Sequence, residues 1–364
     1  MHTSPDKSIT LTLTAQCNLH CVYCYEHSKN DSAMSFDIAR SILDSEMPEC
    51  EGQIYIELFG GEPFLAFDNI KRIYDYVNVN WPDKQWIMFA TTNGTLIHDE
   101  IQDWLKNHKR FICGLSLDGN KLMQDINRSN SFDQIDIDFF IKQYPQQAIK
   151  MTVSQDTLPF LFDGIVYAHS KGFKVNCNLA FGIDWSDKNN VAILERELNK
   201  IIEYYLRNPE IEPCSMLNVP IEHLGTQKDK KEIKKWCGTG TAMKAFYVDG
   251  NVYPCQFFMP ISAGKDKAKK LGEIKFVDSI PVELLDEKCQ SCLIREACPT
   301  CYGSNYISTG NIYSKDYNLC ELTKIIIKAR SYFKAMQWNM GILKLDEKRE
   351  QALLRSILLI QENF

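Results

Sequence analysis

The sequence has no apolar run long enough to cross a membrane and no segment typical of a secretion signal, since its first residues, MHTSPDKS, are polar. It also lacks an excess of positive charge. Lys and Arg number 41 against 47 Asp and Glu, and the formal net charge of −6 argues against general nucleic-acid affinity. Internal repeats and low-complexity tracts are absent too. These absences predict a soluble cytoplasmic protein that binds neither membranes nor nucleic acids.

Cysteine, in contrast, is abundant, with 14 residues in a chain of 364. Without a secretion signal, so many cysteines favour metal sites in a reducing compartment over a disulfide framework. Cys50, Cys113 and Cys177 match no motif and are predicted to be buried thiols. The seven histidines fit no ligand pattern, and we expect a structural role for His20.

From residue 8 to about residue 206, short β-rich runs alternate with helical patterns. The predicted strands are Ser8–Thr14, Gln53–Phe59, Gln85–Thr91, Phe111–Leu117, Ile149–Ser154 and Lys174–Phe181. The predicted helices are Ser35–Met47, Phe67–Val79, Asp99–Asn107, Phe132–Gln143, Leu158–Lys171 and Asn189–Arg207. Such alternation indicates parallel strands joined by right-handed crossovers, with chemistry at the C-terminal strand ends. We therefore predict an α/β fold, a partial (β/α)6 TIM barrel.

The composition changes after this alternation, where a stretch containing several prolines is followed by a cysteine-rich segment with little helical periodicity. The end of the chain reads as amphipathic helix, expected to pack on the barrel. The predicted domains are a barrel at 1–207, a linker at 208–235, a cysteine-rich domain at 236–325 and a helical tail at 326–364.

Three cysteines follow the first predicted strand in the run LTLTAQCNLHCVYCY. Cys17, Cys21 and Cys24 have a C-x3-C-x2-C spacing on a loop. Three thiolates can hold three irons of a [4Fe–4S] cluster, which normally takes four ligands, and leave the fourth iron open to a substrate or cofactor. Tyr23 would give such a cluster an aromatic wall. The alternatives are a zinc knuckle and three buried thiols.

The run CNLHCVYC resembles the cluster loop of the radical S-adenosylmethionine (SAM) enzymes. In that family the methionyl amine and carboxylate of SAM chelate the open iron. One electron from the cluster then cleaves the sulfonium, and the resulting 5′-deoxyadenosyl radical abstracts a substrate hydrogen. The resemblance implies that Cys17, Cys21 and Cys24 are catalytic and hold a SAM-binding [4Fe–4S] cluster.

A second motif, Gly60-Gly61-Glu62-Pro63, follows the second predicted strand. Two glycines let the backbone turn sharply and approach a ligand, and Glu62 offers an acceptor. A plain turn with a helix-capping acid is the alternative. In the radical SAM family this motif contacts the methionyl ammonium, and the resemblance implies that role for Gly60, Gly61 and Glu62.

Polar residues also follow the third and fourth predicted strands, in ATTNGT and GLSLDGN. By resemblance, Asn93, Ser116 and Asp118 are candidates to hold SAM or position the substrate. The stretch SLDGNKLMQDINR resembles a family segment in which Arg128 would pair with the SAM carboxylate, since guanidinium grips carboxylate with two bonds. The alternatives are turn-forming dipeptides and a surface arginine.

Seven more cysteines lie in the last third of the chain: Cys237, Cys255, Cys289, Cys292, Cys298, Cys301 and Cys320. The run YVDGNVYPC predicts a hairpin with Asp249-Gly250 at its turn, which delivers Cys255. The pattern resembles the SPASM extension, which binds two auxiliary [4Fe–4S] clusters in enzymes that modify peptides and proteins. One departure is that two residues separate Cys298 from Cys301, where the family usually has three.

The resemblance divides these ligands into two sets. The outer, fully ligated cluster would take Cys289, Cys292, Cys298 and Cys320, and the inner cluster would take Cys237, Cys255 and Cys301. Some relatives supply a fourth inner cysteine where this chain has Met243. We expect an open inner cluster, and the alternative is another ligand such as Cys214. A zinc site on Cys289–Cys301 is the competing interpretation, but it leaves other cysteines unused.

The residue after the hairpin cysteine bears on the reaction. Anaerobic sulfatase-maturating enzymes, which this chain resembles in length, use an aspartate there as a base, whereas this chain has Gln256. An amide cannot take up a proton as a carboxylate can. We therefore expect a maturase that forms a thioether, a carbon–carbon crosslink or a related modification in a ribosomally made peptide. Oxidation of Cys or Ser to formylglycine is the alternative.

The expected partners are a peptide or protein substrate and an electron donor such as flavodoxin or ferredoxin. Because only sixteen residues precede Cys17, a substrate leader would be held by a separate protein or by the extension, through strand addition. A hypothesis from another class is a non-catalytic iron–sulfur or zinc scaffold that binds a partner protein. Unlike the maturase hypothesis, the scaffold hypothesis predicts no SAM affinity and, in its zinc version, a colourless protein.

Overall fold

The computed structural model describes residues 6–145, 147–226, 231–299 and 301–363, with only the backbone of 225, 226, 234 and 273. Residues 227–230 of the predicted linker and Thr300 of the cysteine-rich segment therefore lie outside the described residues. The strands are β1 Lys7–Thr14, β2 Ile54–Gly60, β3 Trp86–Thr92, β4 Phe111–Leu115, β5 Ala148–Val153, β6 Lys174–Leu179, β7 Glu232–Lys234, β8 Met243–Phe246, β9 Val252–Tyr253 and β10 Ser279–Pro281.

Capping side chains mark where some of the helices begin. They are α1 Phe36–Glu46, α2 Phe67–Asn80, α3 Asp99–Asn107, α4 Lys121–Asn127, α5 Ile137–Gln143, α6 Leu161–Ser170, α7 Asn189–Arg207, α8 Pro260–Ala263, α9 Lys265–Lys269, α10 Glu287–Gln290, α11 Tyr302–Thr309, α12 Cys320–Asn339 and α13 Glu347–Asn363. Ser35 caps α1 by accepting the N–H of Ile38 at 3.3 Å, and Asp136 caps α5 by accepting that of Phe139.

The main sheet has six strands in the order β4-β3-β2-β1-β8-β9. Neighbours from β4 to β8 run parallel, and only β9 runs antiparallel to its neighbour β8. The central strand β1 is buried on both faces, since the apolar Ile9 and Leu11 and the polar Thr10 and Thr12 are all inaccessible. Such double burial is typical of parallel sheets, and the mostly parallel α/β architecture is confirmed.

All six predicted strands are present, but they divide between two sheets. β1 to β4 lie in the main sheet, whereas β5 and β6 pair with each other in a separate parallel sheet. One reason is visible on β5, where the Asp118 carboxylate accepts the N–H of Thr152 at 2.9 Å. A side chain thus satisfies a strand N–H that a ladder would otherwise use. The two remaining places in the main sheet go to β8 and β9, the strands of the hairpin.

The chain folds as two compact units. The first takes its described residues from 1–117, 128–147 and 237–278, and the second from 118–127, 148–236 and 279–364. In the second unit α12 packs on α7, and α13 packs on residues 222–226. These C-terminal helices bury apolar faces, as their amphipathic patterns predict. None of the described helices is both long enough and apolar enough to cross a bilayer.

Candidate active site

The three cysteines of the cluster loop lie within electrostatic reach of one ammonium group. The first of them, Cys17, lies three residues after the end of β1. The side chains of Cys17, Cys21 and Cys24 are all partly exposed. Lys29, on the same loop, donates from Nζ to the Leu19 carbonyl at 3.1 Å. Burial lowers the pKa of Lys29, but the negative charge of the three thiolates outweighs burial and raises it. All three thiols, together with Glu26, therefore act electrostatically on Lys29.

This donor set fits an iron–sulfur cluster better than a single ion. In the described part of the chain, no three His, Cys, Asp or Glu side chains lie close enough together to chelate one metal ion. Thiolates that bind three different irons do not need that proximity, whereas ligands of one zinc do. Sulfur donors are also those that iron–sulfur clusters select. The residues present thus fit a [4Fe–4S] group.

The double glycine is required by close contact with the cluster loop. Gly61 donates its N–H to the Thr14 carbonyl at 3.1 Å. A Cβ at Gly61 would lie 2.2 Å from the Gln16 carbonyl oxygen and 2.8 Å from the Cys17 Cβ. A Cβ at Gly60 would lie 2.3 Å from the Thr14 oxygen. No larger residue fits without displacing the loop, so these glycines set the position of Cys17.

Glu62 is a buried carboxylate held by neutral donors. It is 1% exposed and accepts the Thr92 hydroxyl at 2.7 Å and the N–H groups of Asn93 and Phe64 at 2.8 and 3.2 Å. Burial raises its pKa to about 7, although these bonds and the charge of Arg128 oppose the rise. Three bonds leave room for one more donor. A bound ammonium would stabilise the ionised form.

Asn93 ties the end of β3 to the cluster loop. Its Nδ2 donates to Oδ1 of Asn18 at 2.8 Å, and its Oδ1 accepts the N–H and hydroxyl of Thr95. Asn18 in turn donates to the Thr95 hydroxyl at 2.8 Å. Both polar ends of the Asn93 side chain are thus engaged within the protein. Sequence reasoning singled out Asn93 but missed Asn18, whose place between two cluster cysteines was the available signal.

Arg128 lies beside the predicted aromatic wall. Its guanidinium is 5.3 Å from the centre of the Tyr23 ring, and Arg128 is 8% exposed. The next residue, Ser129, accepts the N–H of His20 at 2.9 Å through its hydroxyl, so this segment contacts the cluster loop. Ser116 is buried and donates its N–H to the Thr92 carbonyl. The first unit therefore brings Tyr23, Ser116 and Arg128 into the surroundings of β3 and the loop.

Asp118 lies in the second unit and is fully buried. Its carboxylate accepts the amide of Asn127 at 3.1 Å and the N–H of Thr152 at 2.9 Å. These bonds connect α4 to β5. The contacts of Asp118 are those of a residue that organises the backbone within its own unit.

Comparison with known proteins identifies the family. Residues 9–134 match the family model for a 4Fe-4S single cluster domain. An uncharacterized protein of Methanocaldococcus jannaschii is 28% identical over 301 residues, covering 80% of this chain and 96% of its own. The cysteine-type anaerobic sulfatase-maturating enzyme of Clostridium perfringens is 26% identical over 273 residues, covering 67% of this chain and 72% of its own. The radical SAM cyclopropyl synthase TigE of Paramaledivibacter caminithermalis is 22% identical over 361 residues, covering 88% of this chain and 73% of its own. The chain is a radical SAM enzyme.

Solved structures share the fold of this radical SAM enzyme. Native anSMEcpe with bound AdoMet and Kp18Cys peptide matches with a TM-score of 0.71 at 20% identity, over 93% of this chain and 100% of that one. Streptococcus suis SuiB bound to precursor peptide SuiA matches with a TM-score of 0.54 at 14% identity, over 86% and 76%. The cofactors of the enzyme are thus a [4Fe–4S] cluster and SAM, and both structural relatives bind peptides.

The hairpin of this radical SAM enzyme forms as predicted, since β8 and β9 pair antiparallel around Asp249-Gly250. It delivers Cys255, which is buried, while Cys237 is exposed and its thiol lies 3.0 Å from the Thr239 hydroxyl. The ring of Phe257 stacks on Tyr25 with centroids 4.2 Å apart. Each of the two candidate cluster loops of this unit thus supplies one ring of the stack.

Four C-terminal cysteines of the enzyme lie within electrostatic reach of two lysines. Burial lowers the pKa of Lys315, but negative charge on three nearby thiolates raises it, and Lys315 donates to Cys298. Lys324 lies within electrostatic reach of two thiols. Together these contacts connect Cys289, Cys292, Cys298 and Cys320. Cys301, by contrast, accepts the N–H of Ser304 at the start of α11.

The remaining thiols are buried. Cys50, Cys113 and Cys177 are at most 4% exposed, which confirms their prediction as buried thiols. Cys214 is inaccessible, and its N–H donates to the Tyr205 hydroxyl at 2.9 Å. Lys29 and Lys315 are the charged neighbours that sequence reasoning missed, because a lysine on a loop carries no local sign of burial beside thiols.

Proposed function

We propose that this radical SAM enzyme is a peptide maturase that forms a thioether, a carbon–carbon crosslink or a related bond in a ribosomally made peptide. The observation that carries the proposal is the close contact between Gly61 and Cys17, the first cysteine of the cluster loop, within electrostatic reach of the buried Glu62. When bound, the cluster and SAM supply a 5′-deoxyadenosyl radical that abstracts a substrate hydrogen. The peptide class rests on two structural relatives solved with bound peptides, anSMEcpe with the Kp18Cys peptide and SuiB with its precursor peptide SuiA.

The residues of the first unit would bind and orient SAM. Cys17, Cys21 and Cys24 hold the cluster, and Glu62 accepts the methionyl ammonium with its remaining lone pair. Arg128, charged and almost buried beside Tyr23, holds the SAM carboxylate. Gly60 and Gly61 allow the close backbone approach that the loop needs.

In this proposal three residues position other parts of the protein and do not contact SAM: Asn93, Ser116 and Asp118. Asn93 fixes Asn18 of the cluster loop, and Ser116 fixes the end of β3 through its backbone. Asp118 fixes β5. Their bonds within the protein support positioning roles over direct contacts with SAM.

The seven C-terminal cysteines would hold two auxiliary [4Fe–4S] clusters. The gathering of Cys289, Cys292, Cys298 and Cys320 supports the outer set. Cys237, Cys255 and Cys301 would then bind the inner cluster. This set has three cysteines, so the inner cluster would have one open iron, and Cys214, a fully buried thiol, is the alternative fourth ligand.

The amide of Gln256 favours crosslinking over formylglycine formation. Its Oε1 is buried and has no hydrogen-bond partner among the residues that the structure describes. This amide can accept a bond from a substrate N–H but cannot take up its proton. The cysteine-type sulfatase-maturating relative keeps formylglycine formation as the second candidate.

An electron donor such as flavodoxin or ferredoxin completes the scheme, with a separate leader-binding protein where the peptide has a leader. The proposed organisation remains a barrel at 1–207, a linker at 208–235, an auxiliary-cluster domain at 236–325 and a tail at 326–364. All fourteen cysteines are free thiols, which supports a reducing cytoplasmic location.

The test uses protein reconstituted anaerobically with iron and sulfide. We expect about twelve irons on the three-cluster proposal, visible absorption and formation of 5′-deoxyadenosine from SAM. Replacement of Cys17, Cys21 and Cys24 by Ala should abolish SAM cleavage, whereas C50A, at a buried thiol outside the motifs, should retain it. Cleavage that survives the triple change would show that the assignment of Cys17, Cys21 and Cys24 is wrong. A colourless protein without SAM affinity would support the scaffold hypothesis.

Mass spectrometry of a peptide co-expressed from the same genomic neighbourhood tests the reaction itself. A crosslink removes two hydrogens, and an epimerisation leaves the mass unchanged. Formylglycine in a neighbouring sulfatase would instead establish the second candidate.

A further inference from the structure

The second unit contains a cavity of about 230 Å³ with mostly apolar walls. It lies at the C-terminal end of β6, where Leu179 and Phe181 line it, and extends to Trp236 and Met216. Cys301, a proposed inner-cluster ligand, lines it as well. Strand ends of parallel sheets are where ligands bind in α/β folds, so this position is suited to substrate.

A buried arginine faces this cavity. Arg330 on α12 is 7% exposed, and its Nε donates to the Met216 carbonyl at 2.6 Å. Burial lowers its pKa to about 10, which leaves the guanidinium charged at neutral pH. A guanidinium has five N–H donors, so one bond to a carbonyl uses little of its capacity. Buried charges are normally paired, and this one has a neutral oxygen as its bonded partner.

The acidic residue at the cavity wall does not supply the missing pair. Asp316 lines the cavity, but its Oδ1 accepts the N–H of Asn318 at 3.0 Å and caps the turn that precedes α12. Lys315 adds a second cation to the wall and donates to the Cys298 thiol. The cavity thus combines apolar walls with two cationic side chains, Arg330 and Lys315, and one anionic side chain, Asp316.

We propose that this cavity binds a carboxylate attached to an apolar group, with Arg330 as its partner, and so selects a peptide substrate that presents an acidic group beside an apolar side chain. The proposal rests on the peptide-maturase function for the identity of the ligand. The carboxylate belongs either to an acidic side chain or to a free C-terminus. A segment held there would lie beside Cys301.

The test measures binding to the cluster-reconstituted protein by calorimetry, with 3-phenylpropionate and its neutral analogue 3-phenylpropionamide as probes. We expect the carboxylate to bind about tenfold more tightly or better, as a charge-assisted bond does. R330Q should remove this preference. R330K, which keeps the charge, should retain part of it and guards against misfolding of R330Q. The control K328Q changes an exposed lysine of the same helix and should bind like the parent.

Several outcomes would overturn the proposal. They are absence of binding to the reconstituted protein, equal binding of acid and amide, and an unchanged preference in both Arg330 variants. Binding confined to cluster-free protein would show that the cavity is filled by an iron–sulfur cluster and would also overturn it. Formation of 5′-deoxyadenosine in the same preparations tests the proposed function separately.

A second pair of probes distinguishes the two sources of the carboxylate. N-acetyl-phenylalanine carries only a C-terminal carboxylate, and N-acetyl-glutamyl-phenylalaninamide carries only a side-chain carboxylate. Tighter binding of the first assigns the cavity to a peptide C-terminus, and tighter binding of the second assigns it to an acidic side chain. Failure of both to bind counts against the peptide ligand.

Discussion

Glu62 shows how one residue's burial links the local structure to cofactor binding. Its carboxylate has three neutral donors and a pKa raised to about 7 by burial. An ammonium bound beside it favours the ionised form, so SAM affinity should rise with pH up to about 7 and then level off. The raised pKa also affects folding. The free energy of unfolding should fall as pH rises from the pKa of the unfolded chain to about 7, because the buried carboxyl group then loses its proton.

We predict that E62Q weakens SAM binding at pH 7 by about ten- to a hundredfold, the loss of one charge-assisted bond. It should also remove the rise in affinity between pH 5.5 and 7, a range in which the SAM amine stays protonated. Equilibrium dialysis with labelled SAM gives both readouts. E57Q, which changes a carboxylate on the preceding strand β2, is the control. An E62Q profile that keeps the wild-type slope would assign the titration to another group.

At the scale of elements, the turn between β2 and α2 positions the cluster loop by backbone contact. A Cβ at Gly61 would meet the Gln16 carbonyl at 2.2 Å, a contact that a flexible side chain cannot relieve. We predict that G61A destabilises the protein by about 1 to 3 kcal/mol, as overpacking does, and lowers iron retention and SAM cleavage. Thermal unfolding and iron analysis after reconstitution measure these effects.

The matched control for this change is G272A, since a Cβ at Gly272 has open space around it and no strained backbone. It should unfold at the parent temperature and keep its iron. If G61A retained full iron and activity, the close contact would not position Cys17, and the double glycine would need another explanation.

Local patterns predicted most elements but not their long-range pairing. α3 and α7 have the predicted bounds because their apolar periodicity is strong. α4 was missed because its short run follows turn-forming residues, although Asn120 caps it by accepting the N–H of Met123 at 3.1 Å. The pairing of β8 with β1 joins segments more than 230 residues apart, and nothing in either run alone indicates it.

The candidate site was predictable to the extent that its chemistry lies in short motifs. Cysteine spacing and GGEP identified the loop and the carboxylate, because thiols and glycines in these patterns have few other uses. Lys29 and Arg330 were not predictable, since their roles depend on burial that the tertiary fold creates. The division of the strands between two sheets was likewise not predictable, since no single strand pattern indicates its partner.

At the scale of the whole molecule, each unit contains a different part of the proposed chemistry. The SAM-binding loop lies in the first unit, and the outer-cluster cysteines lie in the second. In the second unit a buried apolar core joins α13 to the cysteine-rich loop, through Leu353 and Ile357 on the helix and Ile294 and Ala297 between the cysteines. Cys292 packs against this core, so α13 stabilises the loop that carries the outer-cluster cysteines.

We therefore predict that L353A, at a fully buried position, costs about 3 kcal/mol or more of unfolding free energy. It should lower the iron content from about twelve toward about eight by loss of the outer cluster, while SAM is still cleaved, because the cluster loop belongs to the first unit. L358A on the same helix is the control, since Leu358 is 56% exposed and should change neither quantity. Equal loss of iron and SAM cleavage in L353A would mean that the two units unfold together, and full iron retention would mean that the α13 core does not support the outer cluster.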